Sequence, residues 1–364
     1  MNAKAQIHDS RYNNFNLVRL LAAICVIVGH MGHILGIPAV QLGSANLHQI
    51  GVQVLFVIGG YLIANSWKND PHPIRYLVRR FLRLWPPFAV MILLVTFVLG
   101  PALSSLGAAG YFHSWWKIYL NNLRFYIIFA QPGMFENNPM PYVTNGSLWT
   151  MPVEALLYLL TPVIMLALSQ PKKGKYSFVR MLVLALLFIA GDLYLIGHPE
   201  FHVVFYATDW VAGFHLMTYF VIGMLFSFEE IRPVLKFQAA PLALLVLLLT
   251  TQFIHSESIQ LAWLLTLPYL VFSFALVPDP MFSRFGTKFE LSYGIYLYGF
   301  VFQQIVVQWN MKYQFGWGFA VCLALSLLLT VAAAFVNCVL VENPMLRMTK
   351  KITRAMRGKK SERT

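Results

Sequence analysis

The sequence predicts an all-α fold: a polytopic membrane helix bundle of about ten transmembrane helices, with both termini in the cytoplasm. Three observations carry that prediction. The 364 residues are 58% hydrophobic and 11% charged, whereas soluble domains average about 25% charged. The apolar residues gather into runs near the ~20 residues that a hydrocarbon core requires. Lysine and arginine concentrate in alternate loops between those runs, as they do where cytoplasmic loops keep the positive charge.

Taken in order, the runs cover roughly 15–35, 47–66, 86–104, 147–168, 178–196, 209–227, 237–253, 260–276, 290–308 and 317–340. The seventh and eighth are short and closely spaced. The stretch from Tyr111 to Ala130 is aromatic-rich but broken by Lys117, Asn121, Asn122 and Arg124, which predicts an amphipathic helix lying in the interface. The loop after the second run carries Lys68, Arg75, Arg79, Arg80 and Arg83. The loop after the fourth carries Lys172, Lys173 and Lys175, and those after the sixth and eighth carry Arg232, Lys236, Arg284 and Lys288. The intervening loops hold only Lys117, Arg124 and Lys312. Residues 1–346 therefore read as one integral-membrane domain and 347–364 as a basic cytoplasmic tail. With no separate soluble domain, chemistry has to take place inside the bundle.

Composition also excludes several classes. The net charge is +13, but no basic groove with interleaved aromatics occurs in a polar domain, so nucleic acid is not the expected partner. Cys25, Cys322 and Cys338 all lie in apolar runs, with neither a disulfide framework nor zinc spacing. His30 and His33 lack a carboxylate ligand on the same helix, so no metal site is expected. The first run is too long for a signal-peptide core, contains an arginine and is not followed by a cleavage site.

Arg19 and His30 fall inside the first run, and ionisable groups within a span are costly enough to suggest function. Eleven residues make about three turns plus 20°, so the two share a helix face some 16 Å apart along the axis. A fixed cation in line with a titratable base suits the two ends of a long, thin, anionic ligand. The plainer reading of Arg19 is a side chain snorkelling to the headgroups. Glu154 lies seven residues into the fourth run, where a carboxylate must be paired or protonated. The expected topology places it about 10 Å below the outer surface, at the depth of His30, with Gln303 and Gln304 in the same half. These glutamines serve equally well as bonds between helices. Arg80 and Arg83 stand just before Pro86 and Pro87, which predicts a helix start that would fix the arginines in place.

Taken together, these elements resemble the acyltransferase type 3 family of integral-membrane O-acyltransferases. In the family's order, they are Arg19 and His30; the apolar Phe/Gly segment GVQVLFVIGGYLI (51–63); RRFLRLWPPF (79–88), with its Arg-x-x-Arg before proline; GSLWTMPVEALLY (146–158); LSYGIYLYGF (291–300); and VENP (341–344). Many members place a histidine after the Tyr-Leu of the ninth span, where this chain has Tyr298. The resemblance implies transfer of an acyl group, usually acetyl, from cytoplasmic acyl-CoA to hydroxyls of extracytoplasmic or lipid-linked glycans. Acetyl-CoA would be a substrate, with no permanently bound cofactor. The implied setting is a bacterial plasma membrane, with lipid around the bundle and a homo-oligomer left open.

By the same resemblance, His30 would be the catalytic residue, and Arg19, Arg80 and Arg83 would bind the donor. Arginine suits the donor's phosphates because it offers bidentate, permanently charged donors. The extended pantetheine arm of coenzyme A is comparable to the ~16 Å between Arg19 and His30. A neutral histidine suits the role of general base toward a hydroxyl. Glu154 is assigned with it, to orient His30 or the acceptor. Ser147, Trp149, Tyr298, Gln303 and Gln304 are the candidates for acceptor binding. The competing reading is a transporter or flippase of a glycan or lipid-linked substrate, against which stands the lack of an inverted repeat.

Overall fold

In lipid, a chain satisfies its backbone N–H and C=O groups within each helix. The computed structural model, which describes residues 13–170, 175–253, 257–277 and 281–361, is accordingly a helical bundle. Its principal helices are α1 (Phe15–Ile34), α2 (Leu47–Asn69), α3 (Pro73–Leu94), the short α4 (Gly107–His113), α5 (Met151–Leu168), α6 (Phe178–Gly197), α7 (Trp210–Leu225), α8 (Ala240–Phe253), α9 (Glu257–Ala275), α10 (Ser292–Tyr313), α11 (Phe319–Asn337) and α12 (Asn343–Ser361). Three two-residue hairpins, at 41–46, 169–176 and 204–209, close turns between helices. Lys172, Lys173 and Arg363 lie outside the described residues.

Among the described residues, six helical segments are long and apolar enough to cross a membrane: Phe15–Ile34, Leu47–Asn69, Pro73–Leu103, Gly146–Leu168, Phe178–Gly197 and Phe319–Gly358. The apolar helices at 210–225, 237–249 and 259–275 are shorter. The chain is thus a multi-pass membrane protein by the length and composition of its helices.

Two elements differ from the sequence expectation. The third helix begins at Pro73, not at the Pro86–Pro87 pair, with His72 Nδ1 accepting from the Arg75 amide at 3.4 Å. Arg75, Arg79, Arg80 and Arg83 therefore ride on the helix itself, and both prolines lie in its interior. Neighbouring helices make such prolines tolerable. The stretch from 111 to 130 is not one amphipathic helix. It contains the end of α4 and a 3-10 segment, Trp116–Arg124. The Asn122 amide ends that segment: its nitrogen donates to Tyr119 O (2.8 Å) and Ile128 O (3.0 Å), and its oxygen accepts from Ile128 N (3.1 Å). Short polar side chains divert the backbone from helix in this way.

Helix α2 forms the centre, packed between α1 and α7. The α2–α7 contact is backbone to backbone. A Cβ on Gly60 would overlap the Phe220 carbonyl oxygen, and one on Gly223 would overlap that of Val57. Small residues permit this close approach where the lipid offers no hydrophobic drive. Helix α10 packs against α1 and α11. Helix α12 lies against α3, where Arg357 reaches Asp70 at 3.1 Å. Asp70, between α2 and α3, also pairs with Arg75 at 2.6 Å and with Arg79. Arg75 foremost, with Arg79 and Arg357, holds its carboxyl well below the usual carboxylate range.

Candidate active site

Arg19 and His30 lie on the unbroken helix α1, so the ~16 Å axial separation follows from helix geometry. Each anchors a different cluster. Arg19 pairs with Glu290 at 3.2 Å, from the turn before α10. Arg83 of α3 pairs with the same carboxylate and, at 3.3 Å, with the buried Glu342 beyond α11. Glu290 is tied down further by the Ser292 hydroxyl and by the Ser292 amide at 2.9 Å. Three helical segments and the turn before α10 thus converge on one network of two guanidinium groups and two carboxylates.

Arg80 stands apart from that network. Its guanidinium sits between the rings of Tyr76 (5.9 Å) and Tyr158 (6.0 Å) and donates to Ser66 Oγ at 3.3 Å. Among the described residues it forms no ion pair, and its Nε is buried without a partner. A permanently charged fork held without a carboxylate is equipped to take an external anion.

Toward the other end of α1, the His30 ring stacks on His48 with centroids 4.6 Å apart and meets the edge of Phe300 at 5.3 Å. His33 meets His48 edge-on at 5.1 Å. Gly29 makes room for this arrangement, because a Cβ there would strike the His48 backbone. Among the described residues, no hydrogen bond orients the His30 imidazole, and His48 Nδ1 is buried without a partner. Ring packing holds the His30 side chain.

Among the described residues, Glu154 makes no hydrogen bond to His30. Its carboxylate accepts from the Tyr158 hydroxyl and lies in the fields of Arg19, Arg83 and Arg80.

The expected acceptor residues fall in a neighbouring layer. Ser147 is buried, its carbonyl accepting from Tyr296 Oη at 2.9 Å. Trp149 is half-buried and packs on the core. Tyr298 is buried beside Phe302. Gln303 and Gln304 are fully enclosed. Gln303 donates to Ile27 O at 2.7 Å, while Gln304 donates to Met140 O (2.9 Å) and Val143 O (2.7 Å) and accepts from Asn138 at 2.7 Å. In this conformation Gln303 ties α10 to α1, and Gln304 ties α10 to the loop at 138–143.

Sequence reasoning missed His48 and Glu290 as members of these clusters. A signal for each was present: His48 is an ionisable group opening the second apolar run, and Glu290 is the first residue of the ninth. Glu342 was visible only within the closing VENP element.

A family model described as an acyltransferase domain matches residues 12–336. An O-acetyl transferase of Shigella phage Sf6 is 26% identical over 302 residues, covering 81% of this chain and 86% of that protein. A peptidoglycan O-acetyltransferase of Listeria monocytogenes is 27% identical over 238 residues, covering 60% of this chain and 34% of its own length. Nodulation protein 10 of Rhizobium leguminosarum is 26% identical over 167 residues, covering 43% of this chain and 46% of that protein. No solved structure matches the chain. A helical membrane bundle whose sequence fits the acyltransferase model over most of its length belongs to that family, the membrane O-acyltransferases of type 3.

Proposed function

We propose that the protein moves an acyl group, acetyl by preference, from acyl-CoA to a hydroxyl of an extracytoplasmic or lipid-linked glycan. The observation that carries this reading is the single helix α1. It holds one end of a guanidinium cluster and, about 16 Å along, an imidazole packed by rings and free of hydrogen bonds among the described residues. Two relatives named as O-acetyltransferases support the chemistry, one of them named for peptidoglycan.

The donor's phosphates would lie at the arginine end, which the loop charges assign to the cytoplasm. Arg80, without a carboxylate partner among the described residues, would be the first contact, with Arg19 and Arg83 beside it. The pantetheine arm would carry the thioester toward His30. His30 takes the proton of the acceptor hydroxyl as that oxygen attacks the thioester carbon. The carbon–sulfur bond then breaks, and the coenzyme A thiolate recovers the proton from the imidazolium. Direct transfer needs only this base, and a well-placed general base contributes roughly 10²–10⁴-fold. Glu154, hydrogen-bonded to Tyr158, would set the charge balance of the arginine end. Ser147, Trp149, Tyr298, Gln303 and Gln304 would shape the wall on the acceptor side. Both termini would be cytoplasmic in a bacterial plasma membrane, with 347–364 as the basic tail.

The test uses purified protein in nanodiscs with radiolabelled acetyl-CoA and a mixed pool of membrane glycans. Acceptor-dependent release of free coenzyme A is expected. It should fall by about 10³-fold in His30→Ala, with acetyl-CoA binding retained. Normal turnover in that variant would overturn the assignment of His30. Movement of unmodified glycan without release of coenzyme A would favour a transporter.

A further inference from the structure

At the end of the bundle away from the arginines, a cavity of about 710 Å³ opens between the end of α10 and the loops around 104 and 136. It belongs to neither cluster on α1. Pockets that bind organic ligands run to about 300–1,000 Å³ and combine apolar surface with a few convergent polar groups. This one is lined by Trp309 and Tyr313 together with Ser105, Glu136, Asn137 and Gln308.

The cavity has built walls. The Ser105 amide donates to Gly133 O at 2.9 Å, Ser105 Oγ to Glu136 at 2.7 Å, and Ser104 Oγ to Pro132 O at 2.8 Å. These bonds tie the two loops to each other. Gln308 Nε2 donates to Leu103 O at 3.3 Å and Asn138 to Gln304 Oε1 at 2.7 Å, which ties both loops to α10. Within this frame some polar groups are left over. Gln308 Oε1 is buried and has no hydrogen-bond partner among the described residues. The Asn137 side chain is exposed and makes no hydrogen bond among the described residues. Trp309 is 37% exposed.

The position is as informative as the lining. Phe300, Gln304 and Gln308 follow one another at four-residue intervals along a face of α10. Phe300 packs on His30 at 5.3 Å, Gln304 holds the intervening loop, and Gln308 lines the cavity. Gln308 is therefore about 12 Å along α10 from the ring that touches the base.

We propose that this cavity docks the acceptor glycan, taking the sugar units next to the one whose hydroxyl reaches His30. The proposal rests on the acyltransferase reading and adds the place where the acceptor is held. The chemistry favours a neutral or weakly charged oligosaccharide. The indole of Trp309 offers an apolar face to sugar C–H groups, with a negative quadrupole toward their partial positive charge. Asn137 and Gln308 offer amide donors and acceptors for hydroxyls. Glu136 opposes an anionic headgroup, and Lys312 is engaged over the Tyr313 ring at 5.5 Å.

Saturation-transfer NMR on the protein in nanodiscs, with peptidoglycan fragments and a panel of hexose and N-acetylhexosamine oligosaccharides as probes, tests the site directly. Binding of at least one oligosaccharide is expected for wild type and for His30→Ala. It should weaken by roughly tenfold in Trp309→Ala and Asn137→Ala, with acetyl-CoA binding and melting temperature unchanged. Absence of binding by every oligosaccharide, or unchanged affinity in the Trp309→Ala/Asn137→Ala double variant, would overturn the proposal. Binding that depends on Trp309 and Asn137 but leads to no acetyl transfer would sustain the glycan site while refuting the acyltransferase reading.

Discussion

The two ends of α1 hold their functional candidates by opposite means. Around Arg19, charge does the holding: Glu290 is shared by Arg19 and Arg83, and Glu342 takes the remaining side of Arg83. Around His30, shape does it: His48 on one side, Phe300 on another, and no hydrogen bond to the imidazole among the described residues. Ion pairs within a membrane protein stay formed because the alternative is an uncompensated charge. A stacked imidazole keeps both ring nitrogens free to exchange protons with a substrate. The arginine end is therefore preassembled by its own ion pairs, and the histidine end is positioned by packing.

The largest expected effect breaks the charged end. Arg83→Ala removes the cation common to both carboxylates and leaves Glu342 buried without its partner. Loss of one member of such a network costs about 3–5 kcal/mol. The variant should show a markedly lower melting temperature in detergent and poor accumulation in the membrane. A stable, normally accumulating Arg83→Ala protein would show that the network is not what holds this end.

Glu290→Gln sharpens the comparison. It keeps a hydrogen-bonding side chain but removes the negative charge shared by Arg19 and Arg83. If Glu290 occupies the place of the donor's phosphates, acetyl-CoA should bind about five- to tenfold more tightly, equivalent to roughly 1–1.4 kcal/mol, as read by titration calorimetry. Weaker binding would mean instead that Glu290 aims the two guanidinium groups.

The residues of α1 explain how much of this was legible. A guanidinium and an imidazole eleven positions apart on an unbroken apolar run fix their own spacing, because helix geometry needs no other information. What each one touches comes from other helices, and a one-dimensional pattern does not encode it. Glu154 shows this best. Its bond to Tyr158 is one turn along α5 and follows from helix periodicity, whereas Arg19, Arg80 and Arg83 near it come from α1 and α3. The start of α3 was obscured because Arg75 through Arg83 read as loop charge. The helix can carry them because they find Asp70, Ser66, Glu290 and Glu342. For Gln303 and Gln304 the sequence leaves two roles open, because enclosed amides and ligand-binding amides have the same composition, and the structure adds the bonds they make in this conformation, to Ile27, Met140 and Val143.

His48 tests the other half of the comparison. His48→Phe preserves a flat ring against His30 and removes the second imidazole. Turnover should change by no more than a few-fold, while His48→Ala, which leaves a gap beside the base, should lower kcat by about tenfold or more. Equal, severe losses in both would show that His48 handles protons itself.

The smallest effect lies outside both clusters, where Asp70 gathers Arg75, Arg79 and Arg357 and so fastens α12 to the start of α3. Its carboxyl is held below its ordinary value, chiefly by Arg75. The stability it contributes is therefore complete above the unfolded-state pKa of about 3.9 and is lost as pH falls through the lower folded-state value. Wild type should lose melting temperature as the pH is lowered below about 4, and Asp70→Asn should be less stable at neutral pH with a shallower acid slope. Parallel slopes for the two proteins would mean that the three arginines are held in place by the helices they ride on, and that the carboxylate follows their arrangement without fixing it.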